Sequence, residues 1–144
     1  MNKIPTPGDT KYKDAFSENY ISVYYDSVAN NVVFSVACEY DGNSKLDVCL
    51  SLHDVGSLSV FLSTFDKDSM YPSNKIIYSL SCQKSKRTLE VQYYCKQQGL
   101  MLFVYDREDY SFGGVVLPFC VCLNSMPGNL DLFLESQRTI KEAS

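Results

Sequence analysis

Apolar and polar residues alternate along much of the chain, the period-two signature of strands with one buried face. Tyr20-Ile21-Ser22-Val23-Tyr24-Tyr25 has this pattern and residues that favour strands. A turn over 26–31 leads to a second strand from Val32 to Tyr40. Asp41-Gly42-Asn43 predicts a hairpin, because Asp-Gly tolerates the positive φ of a tight turn. The third strand, Leu46 to Leu52, sets Leu46, Val48, Leu50 and Leu52 on one face and Lys45, Asp47, Cys49 and Ser51 on the other.

The period then changes. Leu58, Phe61, Leu62 and Phe65 recur at i, i+3, i+4 and i+7, one face of a helix, and Asp54 is placed to cap its N-terminus. After a polar loop over 66–74, strands are predicted from Lys75 to Cys82, Arg87 to Lys96 and Leu100 to Tyr105. A loop over 106–114 precedes a last strand from Val115 to Leu123, in which Pro118 marks an edge or bulge. A final helix runs from near Ser125 towards Ile140 and carries Leu130, Phe133 and Leu134. Residues 1–19 have no period and read as a flexible polar arm.

The two halves repeat each other. Val48 to Val55 parallels Phe119 to Met126, and, after an insertion at Pro127, Gly56 to Leu62 parallels Gly128 to Leu134. Each copy is three or four strands, a polar cap and a helix with a Leu-x-x-Phe-Leu face. One such unit buries too little surface to be stable alone. Two units that pack their helices (Leu58, Phe61, Leu62 and Phe65 against Leu130, Phe133 and Leu134) share a core. The expected fold is therefore α+β, ββββα twice about a pseudo-twofold. The repeats are 20–66 and 75–142 within one domain, 20–144, and the outer faces of the sheets are left free.

Leu50-Ser51-Leu52-His53-Asp54-Val55-Gly56-Ser57-Leu58 resembles the Whirly segment in which a strand ends Leu-Ser and the helix opens on an acidic-Val-Gly-x-Leu run. The duplicated four-strands-then-helix plan is also similar to Whirly. The single-copy version occurs in dimeric coactivators of the positive-cofactor type, and small phage single-stranded-DNA-binding proteins share the fold. The resemblance covers residues 20–140 in plan but only this short segment in motif. It implies binding of single-stranded DNA, or of RNA in some members, by a homo-oligomer. The Lys-Gly-Lys-Ala strand motif and Trp-bearing end of plant members are absent; Lys11-Tyr12-Lys13 is basic in a different context. A phage-type or other distant member fits better than a plant organellar one.

Charge first argues against a polyanion partner: the net charge is −4, with 13 basic and 17 acidic side chains. The total is an average over unlike halves. Residues 1–74 hold five lysines against ten carboxylates, whereas 75–96 hold Lys75, Lys84, Lys86, Arg87 and Lys96 against Glu90 alone. Because salt screens charge over about 8–10 Å, the local balance governs a bound phosphate. Single-strand binding needs aromatic faces for bases and positive charge along the backbone path. With the more apolar face of each strand given to the helices, the open face carries Tyr20, Tyr24, Lys45, Lys75, Gln92, Tyr94, Lys96, Phe103 and Tyr105. The expected nucleic-acid site takes the Tyr, Lys and Gln residues of this face, without Phe103, and adds Lys84, Lys86 and Arg87. The bland reading is that exposed Tyr is common on sheets and that the basic residues form a solvated hairpin tip.

Other chemistry is thin. Cys38, Cys49, Cys82, Cys95, Cys120 and Cys122 lie in apolar or alternating runs with no Cys-x-x-Cys pair, so they read as buried reduced thiols rather than zinc ligands or disulfides. His53 is the only imidazole and has no nucleophile beside it in sequence. No enzyme activity, metal or cofactor is expected. No apolar run reaches the roughly 20 residues of a membrane helix, and the first eight residues hold no signal region, so a cytoplasmic location is expected. The function expected is non-catalytic single-stranded DNA binding in replication, recombination or transcription. The alternative is an RNA-binding protein, or a protein-interaction or viral accessory or structural module on the same scaffold.

Overall fold

A computed structural model describes residues 7–37, 45–66, 73–82, 84–94 and 99–143, with side chains described as far as Ser136. Strands β1 (Thr10–Lys13), β2 (Tyr20–Asp26), β3 (Asn31–Ala37) and β4 (Lys45–Ser51) precede helix α1 (Leu52–Thr64). Strands β5 (Lys75–Ser81), β6 (Arg87–Tyr94), β7 (Gly99–Asp106) and β8 (Phe112–Pro118) precede a π-helical segment, Cys120–Ser125, and helix α2 (Met126–Ala143). Each set of four strands forms an antiparallel sheet in sequence order, so the chain is α+β with two sheet-then-helix units.

The alternating strands bury one face each. Ile21, Val23 and Tyr25 on β2, Val32, Phe34 and Val36 on β3, and Leu46, Val48 and Leu50 on β4 point inward from the first sheet. Leu89, Val91 and Tyr93, then Leu100, Leu102 and Val104, then Val115 and Leu117 do so from the second. Together with Val55, Leu58, Leu62, Met126, Leu130 and Phe133 from the helices they make one contiguous core. The helices pack on each other, and at their contact the Ser59 hydroxyl bonds the Asp131 carboxylate at 2.6 Å and the Pro127 carbonyl at 3.2 Å.

Each helix also leans on the other half. Phe61 of α1 stacks on Tyr78 of β5 with centroids 4.5 Å apart, and Phe65 packs against Tyr93 of β6 and Phe119. In return, the chain entering β1 lies on α2. Gly8 has φ +103°, and a Cβ there would sit 2.7 Å from the Asn129 carbonyl and 3.1 Å from the Phe133 ring, so only glycine fits. The buried Tyr12 hydroxyl accepts a 2.8 Å bond from the Asn129 amide.

Several expectations are corrected. The arm expected over 1–19 contributes strand β1, whose Tyr12 points inward while Lys11 and Lys13 point out. Beyond it, Asp14 accepts from the Val116 N–H at 2.8 Å and Ala15 donates to the Val116 carbonyl at 3.0 Å, which covers the exposed edge of β8. The cap of α1 is Ser51, whose hydroxyl accepts from the Asp54 N–H at 3.2 Å; Asp54 instead places its charge in the first turn. Leu52 accordingly begins the helix rather than ending a strand. The last strand stops at Pro118, which offers no N–H to the ladder, and Cys120–Ser125 winds as a π-helix. Cys120 is consequently exposed while Cys122 is buried and donates weakly to the Leu117 carbonyl at 3.6 Å. Burial pushes the Cys122 thiol up to about 12, which keeps it an inert apolar group. The hairpin expected at Asp41-Gly42-Asn43 lies outside the described residues.

Phe133 is fully buried between Gly8 and the core, whereas Leu132 beside it is 38% exposed. Phe133→Ala is expected to cost about 3–5 kcal/mol in urea denaturation, and Leu132→Ala within about 0.5 kcal/mol.

Candidate nucleic-acid interface

Residues directly opposite in an antiparallel pair share a face, so the registers define the outward surfaces. On the second sheet, Thr88, Tyr105 and Phe112 lie in one outward row, and Glu90, Phe103 and Gly114 in the next. Ile76, Gln92, Met101 and Val116 form a third row, and Tyr94 sits beyond it opposite Gly99. The Phe103 ring lies 6.0 Å from Tyr105 and 5.8 Å from Phe112. Gly114 gives Phe103 its space: a Cβ there would meet the ring at 3.1 Å and the Met101 methyl at 2.8 Å. Of the residues expected at the site, Gln92, Tyr94 and Tyr105 share this surface, and Phe103 lies on it as its spacing predicts. Met101 and Phe112 join it as residues the sequence reading missed, although Phe112 continues the period of β8 through an apparent loop.

The outward face of the first sheet carries Lys13, Tyr20, Ala37 and Lys45 in one row, and Lys11, Ser22, Ser35 and Asp47 in the next. The Lys11 ammonium stands 3.8 Å over the Tyr20 ring, a cation–π contact that ties a positive charge to an aromatic face. Lys13 pairs with Glu18 at 3.2 Å, both well exposed. Lys11 was missed as a site residue because β1 is short; its alternation with Tyr12 was the available signal. At the other end of this face the charge reverses. Burial, then Asp47, Cys49 and Asp26, raise the Tyr24 hydroxyl above its ordinary pKa, so Tyr24 sits in a negative field that disfavours phosphate.

The basic strip read from 75–96 does not hold together as one strip. Lys84 and Lys86 lie on the β5–β6 turn, and Lys75 starts β5 at the far end, on the order of 20 Å away at about 3.3 Å per strand residue. A bulge at Ile77 also shifts the register, so Lys75 lies opposite inward-facing Tyr93 and off the face of Ser79 and Ser81. Lys96 lies outside the described residues. Arg87 is committed to structure: its Nε meets Asp106 at 3.2 Å and its guanidinium donates to the Asp47 carbonyl on edge strand β4 at 2.9 Å. The cation that replaces it beside Lys84 and Lys86 is Arg107, exposed, with Nε 3.2 Å from the Lys86 carbonyl. In sequence Arg107 is masked by Asp106, Glu108 and Asp109.

Between β4 and the turn ends of the second sheet runs an open groove of about 1030 Å³, lined among others by Asn31, Asp47, Cys49, Cys82, Lys84 and Arg107. Asn31 Oδ1 and Asp47 Oδ1 are buried without a partner among the described residues, so its floor is rich in acceptors and its rim in cations. His53 is exposed in the first turn of α1. Among the described residues no three His, Cys, Asp or Glu side chains gather to hold a metal ion, and no helix is long and apolar enough to cross a membrane. No protein-family model matches the chain, and no curated protein shows significant similarity to it.

The Arg87 link has a titratable partner. Backbone N–H groups of Glu108 and Asp109, at 2.8 and 3.2 Å, hold the Asp106 carboxyl below its ordinary range; burial opposes them, and Arg87 adds a lesser lowering contribution. A folded-state pKa below the unfolded value gives stability that is present at neutral pH. It is lost as pH falls from the unfolded value, about 3.9, through the folded one. Asp106→Asn is expected to lower the urea midpoint at pH 7 and to flatten its fall between about pH 5 and pH 2.

Proposed function

We propose that this chain is a non-catalytic single-stranded DNA-binding protein with a Whirly-like duplicated plan. The observation that carries the reading is the outward aromatic cluster of Phe103, Tyr105 and Phe112, with Lys84, Lys86 and Arg107 at the same end of the sheet. Bases stack on such rings with little sequence preference, while the cations meet the backbone phosphates. Tyr94 and Gln92 extend the path along the face, and the Lys11–Tyr20 pair with Lys45 offers a second, smaller platform. The two units repeat the same order of four strands and a helix, and a homo-oligomer would set several outward faces around one strand. The net charge of the whole chain, −4, limits promiscuous attraction to duplex and leaves stacking a large share of the affinity. Such a protein would coat or protect strands during replication, recombination or transcription.

A second reading has one observation in its favour. Ile76 and Phe112, 53% and 68% exposed, share the outward face of the second sheet, an apolar pair suited to a protein partner.

Fluorescence anisotropy with oligo-dT, the matching oligo-U and a duplex, at stepped salt, separates the readings. The proposal expects low-micromolar binding of oligo-dT, weaker binding of duplex and affinity that falls with salt. Tyr105→Ala should weaken binding by about 1–3 kcal/mol. Lys84→Ala and Lys86→Ala should each reduce the slope of log K against log salt by about 0.7. Equal affinity for duplex, or no salt-sensitive binding of a single strand, would overturn it and leave the protein-interaction reading.

A further inference from the structure

The groove beside β4 holds chemistry that strand binding does not use. Cys49 points outward from β4 in the first half, and Cys82 follows β5 in the second. Both line the same groove. The Cys82 sulfur accepts a hydrogen bond from the Cys49 backbone N–H, so the thiol of one half touches the residue that bears the other thiol. Three more donors converge on it: the Ser85 hydroxyl and the N–H groups of Lys84 and Ser85 in the β5–β6 turn.

The environments of the two thiols differ. Burial pushes Cys82 up, but the Ser85 hydroxyl and the three N–H groups outweigh it and hold the thiol below its ordinary range. Cys49 goes the other way: burial raises it, followed by Cys82, Asp47 and Asp26, with Arg87 opposing. Hydrogen-bond donors aimed at sulfur favour thiolate, the form that attacks a disulfide. A neighbouring thiol that stays protonated until needed is suited to resolve the product.

We propose that Cys82 and Cys49 are a dithiol site for low-molecular-mass disulfides of the glutathione class, with Cys82 attacking and Cys49 resolving. The Cys82 thiolate attacks one sulfur of oxidised glutathione; that S–S bond breaks and one glutathione thiolate leaves and takes a proton from water. Cys82 is then a mixed disulfide. Cys49 gives its proton to solvent and attacks the Cys82 sulfur, and the second glutathione leaves. Two protein thiols are oxidised, one small disulfide is reduced to two thiols, and the new bond joins the two halves across the groove. A reducing glutathione pool reverses both steps.

The full chain is treated with oxidised glutathione, quenched with acid and mapped by peptide mass spectrometry without reduction. The expected result is a Cys49–Cys82 cross-linked peptide with loss of two free thiols per chain. Cys49→Ser is expected to stop at one glutathione on Cys82, and Cys82→Ser to give neither adduct nor cross-link in the groove. Adducts on exposed Cys120 with Cys82 unmodified, or a cross-link without Cys49, would overturn the proposal. A labelling race on the unaltered chain does not depend on the variants folding. With limiting iodoacetamide at neutral pH, Cys82 should be labelled at least about threefold faster than Cys49, although Cys49 is the more exposed of the two. Labelling of Cys49 first would overturn the assignment of roles.

Discussion

The structure depends on one constraint: neither half can bury its own apolar face. A four-stranded sheet with a single helix leaves too much apolar surface in water for independent stability. The chain meets this by crossing its helices. Phe61 and Phe65 of α1 pack on Tyr78, Tyr93 and Phe119 of the second half, while Phe133 and Asn129 of α2 receive Gly8 and Tyr12 of the first. The Ser59–Asp131 bond, with Ser59 buried, fixes where the helices meet. The inward faces of both sheets close on that pair as one core.

Commitment of the inward faces has consequences for the edges. Strand β8 would present unpaired backbone, and Asp14 and Ala15 cover it through Val116. Strand β4 would do the same, and Arg87 occupies its Asp47 carbonyl. A guanidinium held by a backbone carbonyl and by Asp106 is a poor phosphate ligand, however basic its stretch of sequence. The same link draws β4 towards the β5–β6 turn and so shapes the groove in which Cys49 and Cys82 meet. The outward surfaces left over are unlike each other. The second sheet is aromatic with cations at one end, and the first is basic near Lys11 and acidic near Asp47.

The sequence by itself determined what is local and periodic. Alternation gave β2, β4, β6 and β7 their inward and outward residues, so Tyr20, Tyr24, Lys45, Gln92, Tyr94 and Tyr105 were found on outward faces from their spacing alone. The helical period placed Leu58, Leu62, Leu130 and Phe133 in the core. It also gave the order of elements, strands then helix, twice. Tertiary structure decided everything that depends on which backbone meets which. Four residues of β1 are too few to show a period until β2 pairs with them. The bulge that turns Lys75 away is a property of the β5–β6 register, not of Ile77 itself. The single basic strip dissolved because antiparallel strands send residues near in sequence to opposite ends of a sheet, while Arg107, distant in sequence, arrived beside Lys86. Periodicity reports the environment on either side of one strand, and it carries no information about the partner that supplies that environment.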